Sequence, residues 1–172
     1  CMCVCVCVCS LAWRRLRMTR GTKIMGLEHV RCFKCLSIHS LNLDCHGANP
    51  KQCPEAEVPD NGGLACVTVA NRRYCKPLCE HGYDFAFLRR SRPYEECSAQ
   101  TRFQWQTQYV GGNKLAVCHV SGVKTAYFPK DQDCLTTKTS NGLQSGVIVD
   151  LTAELMAAGV HGAPQSACLV CG

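Results

Sequence analysis

Cysteine most restricts what this chain folds into, because it supplies 17 of the 172 residues. Short chains this rich in cysteine are usually disulfide-bonded domains of the secretory pathway. Such small domains bury too little apolar surface to be stable by packing alone, so covalent cross-links replace part of the core. The competing interpretation of abundant cysteine is metal binding in a reducing compartment.

The positive charge of the chain is concentrated at its beginning. The net charge is +6 overall, and residues 1–52 alone contribute +6, from eight Lys/Arg side chains against Glu28 and Asp44. Residues 53–118 contribute +1 and residues 119–172 contribute −1. Unless the first segment is a genuine domain, the overall charge therefore says little about partners.

Residues 1–52 open with alternating Cys and Val, which is what a TGTGTG repeat encodes when it is translated. Low complexity of this kind favours a largely irregular segment, either translated repeat or the remnant of a preceding module. The structured alternatives are a strand with its cysteines on one face, or a metallothionein-like cluster. The segment has no apolar stretch of signal-peptide length, and no run approaches the length of a membrane span.

A zinc site is the most specific alternative to an irregular structure for residues 1–52. Cys32 and Cys35 are spaced as a CxxC pair and are followed by Cys45 and His46. Structural zinc usually takes four ligands as two separated pairs, and adjacent residues such as Cys45 and His46 chelate together only with difficulty. We therefore predict no metal and no other cofactor.

From residue 53 the sequence shows the pattern of turns and short strands that is typical of a small β module. Residues 59–63 form a Pro/Asn-Gly turn signal, residues 64–69 read as a strand rich in β-branched side chains, and residues 82–87 alternate as a half-buried strand. We predict that Trp105 packs against disulfides rather than acting as an exposed binding anchor. The other main core candidates are aromatic: Tyr83, Phe85 and Phe87.

The cysteine framework of residues 53–118 resembles a sushi module, also called a complement control protein repeat. The resemblance rests on Cys53-Pro54, the Asn-Gly turn, Cys79-x-x-Gly82-Tyr83, Cys97, Trp105 and Cys118. The chain departs from the family in its long stretch from Cys97 to Cys118, in Val117 where proline is usual, and in Gln104 where glycine is usual.

The resemblance implies a disulfide pairing, which the spacing of six cysteines alone leaves open among fifteen connectivities. The family's four framework cysteines pair first with third and second with fourth. Carried over, this implies bridges Cys53–Cys97 and Cys79–Cys118. Cys66 and Cys75 then match the extra bridge of six-cysteine sushi modules, as in selectins and polydom-like mosaic proteins.

Residues 119–172 are predicted to form a small α+β tail with one helix at about 142–158. Gly159 is a natural C-cap of this helix. Its apolar side is predicted from residues that recur at three- and four-residue steps, namely Leu143, Val147, Ile148, Leu151, Leu155 and Met156. We expect Cys134 to bridge to Cys168 or to Cys171, with the odd cysteine pairing beyond residue 172. A redox Cys168-x-x-Cys171 motif is disfavoured because such motifs usually sit at a helix N-terminus.

A cluster of three arginines is the remaining candidate binding site. Arg89, Arg90 and Arg92 are a candidate contact for a polyanion, although the acidic Glu95 and Glu96 follow closely. Adjacent strand carboxylates point to opposite faces, and no nucleophile elbow, phosphate loop or zinc-protease motif is present in the sequence. We therefore predict no catalytic residues and no enzyme activity.

The sequence thus predicts a small disulfide-rich, sushi-like β module followed by a cysteine-containing tail. The resemblance implies a non-catalytic protein-binding or adhesion module of an extracellular mosaic protein. One alternative is a glycosaminoglycan-binding matrix module that uses Arg89 to Arg92, and another is an intracellular zinc or redox protein. The expected partner is an extracellular protein or matrix component, with no nucleic acid and no membrane span.

Overall fold

The computed structural model describes residues 45, 50, 52–87, 93–108, 110–121, 128 and 132–172, all of them within one compact unit. The chain order of elements is β1 Gly62–Val69, β2 Arg72–Cys79, β3 Tyr83–Phe85, β4 Glu95–Cys97, a short 3-10 helix Ala99–Thr101, β5 Cys118–Val120, α1 Cys134–Thr139, α2 Asn141–Ala157 and β6 Pro164–Cys171. The predicted fold class, a small disulfide-rich β module followed by a helix, is confirmed.

The main sheet has four antiparallel strands in the order β4-β2-β1-β6, and β3 and β5 form a separate two-stranded sheet. β1 and β2 are joined by Ala70 and Asn71, which both have positive φ, at 49° and 58°. Two such residues match the right-handed twist of the flanking strands in a tight hairpin. The register places Cys66 directly opposite Cys75 on one side and Cys168 on the other.

β1 is buried along its whole length because it lies between two strands and is covered on both faces. Successive strand side chains alternate between faces. One set, which includes Ala65, Val67 and Val69, packs towards the helices. The other set, which includes Leu64 and Cys66, packs into a cysteine-rich cluster on the opposite face.

The helices cover the first face of the sheet. α2 buries one stripe of side chains at three- and four-residue spacing, namely Gln144, Ile148, Leu151 and Leu155. The predicted helix at 142–158 is confirmed, although Met156, expected on its apolar side, is 47% exposed. Lys76 of β2 adds an ion pair to Glu154 of α2, with Nζ 2.6 Å from Oε1.

A second, shorter helix, α1, precedes α2, although the sequence predicted only one helix in the tail. The Asp133 carboxylate accepts a hydrogen bond from the Thr136 backbone N–H at 2.6 Å, which caps α1. That bond, together with the one from the Thr136 side chain, lowers the pKa of Asp133.

The residues on either side of the predicted division at residue 118 share one sheet. β6, which belongs to the predicted tail, pairs with β1 over almost its full length, and residues on both sides of 118 belong to one compact unit. β1 is apolar on both faces, so both faces are buried, and its backbone pairs with a strand on each edge. The local sequence predicts the strand but does not show which strands lie beside it.

The predicted core role of Tyr83, Phe85 and Phe87 is wrong. In β3 the side chain of Asp84 is buried, Tyr83 and Phe85 are half-buried, and Phe87 is 52% exposed. Among the strands of the described ranges, β3 pairs only with the short β5, so no broad described sheet covers its aromatic face. Tyr74 of β2 supplies the central aromatic side chain instead, packing edge-to-face on Tyr94 with ring centroids 5.7 Å apart.

Candidate functional site

Five disulfides link all ten cysteines in the described part of the chain. Their Cα–Cα distances are 6.1 Å for Cys53–Cys97, 5.7 Å for Cys79–Cys118, 4.1 Å for Cys66–Cys75, 5.6 Å for Cys134–Cys171 and 5.5 Å for Cys45–Cys168. The first three are the pairs that the sushi resemblance implies. The other two attach the tail and residue 45 to the same unit.

The two bridges made by β6 are explained by the alternation of its side chains between the two faces of the sheet. Cys168 and Cys171 are three residues apart, so their side chains point to opposite faces of the sheet. Cys171 faces the helices and bonds to Cys134, the first residue of α1. Of the two expected partners of Cys134, the structure therefore selects Cys171, and Cys171 needs no partner beyond residue 172.

Cys168 faces the other side and bonds to Cys45. A cysteine in a disulfide supplies no thiolate to a metal, so Cys45 is unavailable as a ligand for the zinc site considered with Cys32, Cys35 and His46. Those three residues lie outside the described ranges. The bridge also shows that the predicted boundary before residue 53 separates residues that are covalently joined.

Three bridges and Trp105 form the cysteine-rich face. Its buried members are Cys53, Leu64, Cys66, Cys75, Cys97, Trp105, Leu115 and Cys168. Trp105 is 6% exposed, in agreement with its predicted core role, and its Nε1 donates to the Pro54 carbonyl oxygen at 2.9 Å. The indole thus joins the start of the module to the stretch after β4.

Arg73 is the unexpected member of this face, since its side chain is 2% exposed. Its Nη1 donates to Thr68 Oγ1 at 2.9 Å and to Ser166 Oγ at 3.4 Å. Its Nη2 lies 3.1 Å from Cys168 Sγ and 3.9 Å from Cys45 Sγ. The guanidinium therefore lies against the Cys45–Cys168 bridge.

The charge of Arg73 has no carboxylate partner within the part of the chain that the structure describes. Its Nε is buried, and no described residue accepts a hydrogen bond from it. Burial lowers the pKa of Arg73 to about 10, because water no longer solvates the charged form. Arg72, its neighbour, points to the opposite face, where its Nη1 lies 4.0 Å from Glu96 Oε1.

Sequence reasoning overlooked Arg73 and the partner of Cys168. A signal for Arg73 was present, because strand alternation requires one of two adjacent arginines to face the same side as Cys75. No local signal pointed to Cys45, since nothing in its neighbourhood indicates a partner 123 residues away.

A cavity of about 250 Å³ opens beside this cluster. Its wall is mainly apolar and cysteine-lined, and its two charged lining residues are Glu55 and Arg73. Within the described ranges, no group of three His, Cys, Asp or Glu side chains is arranged to hold a metal ion.

The predicted polyanion cluster of Arg89, Arg90 and Arg92 lies outside the described residues. No helix in the described ranges has both the length and the apolarity needed to cross a bilayer. Comparisons of the chain with protein-family models, curated proteins and solved structures found no match.

Proposed function

We propose that this chain is a non-catalytic binding module of an extracellular protein. The observation that carries the proposal is the disulfide framework, because every cysteine in the described ranges is cross-linked. Such a framework is consistent with an oxidising compartment, since cytosolic reductants keep most thiols reduced. Secretion or display on a cell surface is our proposal for that compartment.

We also propose that the module is of the sushi type, extended by its tail. The pairs Cys53–Cys97, Cys79–Cys118 and Cys66–Cys75 support this assignment because the family resemblance implies them. α2, β6 and the bridges Cys45–Cys168 and Cys134–Cys171 add a layer and an edge strand to that framework.

In this proposal the disulfides stabilise the fold and the surface binds the partner. Disulfides on both faces of the main sheet hold its strands in fixed positions. A partner protein then meets a preorganised surface, which lowers the ordering cost of association. Fold alone does not name that partner.

Expression through the secretory pathway, followed by thiol counting and bridge mapping by mass spectrometry, tests the proposal. We expect no alkylatable thiol among residues 45–172 before reduction and the five bridges given above. Recovery of the folded chain with free thiols, or with zinc on these sulfurs, would contradict it. Cytosolic expression of the same chain is the matched control and is expected to yield reduced, unfolded material.

The glycosaminoglycan hypothesis is distinguished by heparin chromatography of the secreted chain. Three arginines within residues 89–92 favour this hypothesis. If the glycosaminoglycan hypothesis holds, replacement of Arg89, Arg90 and Arg92 by Ser removes the salt-sensitive retention on heparin. If the module binds a protein instead, the same replacement leaves heparin retention unchanged. Arg72→Ser, which removes one partly exposed charge elsewhere, is the control.

A further inference from the structure

We propose that the Cys45–Cys168 bridge is a thiol–disulfide exchange site, opened by a dithiol reductant, with Arg73 stabilising the thiolate that leaves. The proposal goes beyond the proposed binding function. It concerns this bridge alone and not the Cys168-x-x-Cys171 spacing, whose two sulfurs belong to different bridges on opposite faces of the sheet.

The first supporting observation is that Arg73 is buried with no carboxylate within ion-pair distance among the described residues. Its hydrogen bonds go to two hydroxyls and to sulfur, and no group in the described ranges accepts from its Nε. A buried cation without an anion is costly in the native state. Reduction of the adjacent bridge would create a thiolate and thereby supply the missing negative charge.

The second observation is that the two sulfurs of the bridge differ in a way that gives the exchange a direction. Cys45 is partly exposed, whereas Cys168 is 1% exposed. Arg73 Nη2 is closer to Cys168 Sγ, at 3.1 Å, than to Cys45 Sγ, at 3.9 Å. Cys45, which also lines the cavity, is therefore the cysteine that a reductant can reach. Cys168 is the better leaving group, because the nearby guanidinium favours its thiolate and a more stable thiolate leaves faster.

The exchange balances as a two-electron reduction. A thiolate of the dithiol attacks Cys45 Sγ, the Cys45–Cys168 bond breaks, and Cys168 leaves as a thiolate beside the guanidinium. The second thiol of the reductant, after losing its proton, attacks the mixed disulfide at its own first sulfur. Cys45 leaves as a thiolate and takes up a proton, and the dithiol is oxidised to a disulfide.

Opening this bridge changes what is tied to the sheet without dismantling it. The four remaining bridges still join β1 to β2, α1 to β6, and the stretches that contain Cys53 and Cys118 to β4 and β2. Only the covalent link between residue 45 and β6 is lost. The site thus acts as a reversible tether for the chain at residue 45.

The molecule contains its own matched control in the Cys134–Cys171 bridge. It likewise joins one partly exposed cysteine, Cys171, to one fully buried cysteine, Cys134. Cys134 Sγ lies 3.8 Å from the Val170 carbonyl oxygen, a partner that disfavours a thiolate. Exposure alone therefore predicts similar reduction of the two bridges, whereas the effect of Arg73 predicts a difference.

Graded reduction of the full chain with dithiothreitol, with differential alkylation and mass spectrometry of every cysteine, tests the proposal. We expect Cys45 and Cys168 to be labelled first, about tenfold faster than Cys134 and Cys171. Arg73→Met should abolish that difference, and Arg72→Met, on the opposite face, should preserve it. Equal rates in the unaltered chain, or an unchanged order in Arg73→Met, would overturn the proposal.

A second measurement holds even if Arg73→Met fails to fold. In Cys45→Ser the Cys168 thiol is free beside Arg73, and its thiolate can be titrated by ultraviolet absorbance. We expect its pKa to lie below the ordinary value of about 8.5. In the control Cys171→Ser, which frees Cys134, burial should raise the thiol pKa instead, and a Cys168 pKa at or above that of Cys134 would refute the role of Arg73.

Discussion

At the scale of single residues, Arg73 shows how a tertiary position changes what a side chain does. On a surface strand an arginine is solvated by water and contributes little to the stability of the fold. Here the same side chain is enclosed by Thr68, Ser166 and a disulfide, and no carboxylate in the described ranges lies within ion-pair distance of it. We expect such a buried charge to be unfavourable for stability, and groups of this kind are typical of functional positions.

We predict that Arg73→Met raises the free energy of unfolding by about 1–3 kcal/mol at neutral pH, because it replaces an unpaired buried charge with an apolar chain of similar length. The burial penalty on Arg73 is complete below its folded-state pKa of about 10 and falls as pH rises above it. Urea unfolding of the oxidised proteins should therefore give the same difference at pH 6 and pH 9. A less stable variant would contradict this prediction.

A second residue-scale prediction concerns Trp105. Trp105→Ala should lower the free energy of unfolding by about 3–5 kcal/mol, because the indole fills the space between bridges on the cysteine-rich face. Trp105→Phe keeps most of that volume but loses the hydrogen bond to the Pro54 carbonyl oxygen, and should cost about 1–2 kcal/mol. Denaturant unfolding of both variants, with all bridges intact, measures the difference. Equal losses would mean that packing contributes little at this position.

At the scale of elements, α2 is bound to the sheet by a narrow stripe rather than by a broad apolar face. The stripe includes a glutamine, and apolar residues on either side of it are only partly covered. The periodicity of the sequence placed the helix correctly but assigned Met156 to the wrong side. The side that packs is decided by the position of the sheet, which the helix sequence does not contain.

We expect Leu151→Ala to destabilise the protein by about 2–5 kcal/mol, because Leu151 is fully buried between α2 and the sheet. Met156→Ala, in the same helix but 47% exposed, is the matched control and should change stability by less than about 0.5 kcal/mol. Thermal unfolding followed by far-ultraviolet circular dichroism gives both values. Similar effects of the two substitutions would place α2 against the sheet in a different rotation.

At the scale of the whole molecule, residues 41–172 form one compact unit in which the tail completes the sheet of the module. β6 covers the outer edge of β1, and α2 covers one face. Removal of residues 119–172 would leave β1 as an edge strand and uncover Ala65, Val67 and Val69. Exposed apolar edges of this kind favour aggregation.

We therefore predict that residues 53–118 alone do not form a stable domain, although they contain three complete bridges. Refolded from the reduced state, this piece should give mixed disulfides and poorly dispersed NMR spectra. A piece spanning residues 41–172 should recover the five bridges and a dispersed spectrum. Native pairing and cooperative unfolding in the shorter piece would show that the module is independent of its tail.

The sequence by itself determined the class of fold and its local parts. Cysteine content predicted a cross-linked β domain, periodicity predicted α2, and the spacing around Trp105 indicated a buried indole. The resemblance to sushi modules implied three of the bridges. Each of these inferences depends on residues close together in the chain or on a recurring framework.

Only the tertiary structure decided which distant parts meet. It placed β6 beside β1, joined Cys168 to Cys45 rather than to Cys134, and enclosed Arg73 against that bridge. Alternation along a strand states that Cys168 and Cys171 face opposite ways, but not what lies on either side. That depends on the order of strands in the sheet, which is set by burial summed over the whole chain rather than by any local pattern.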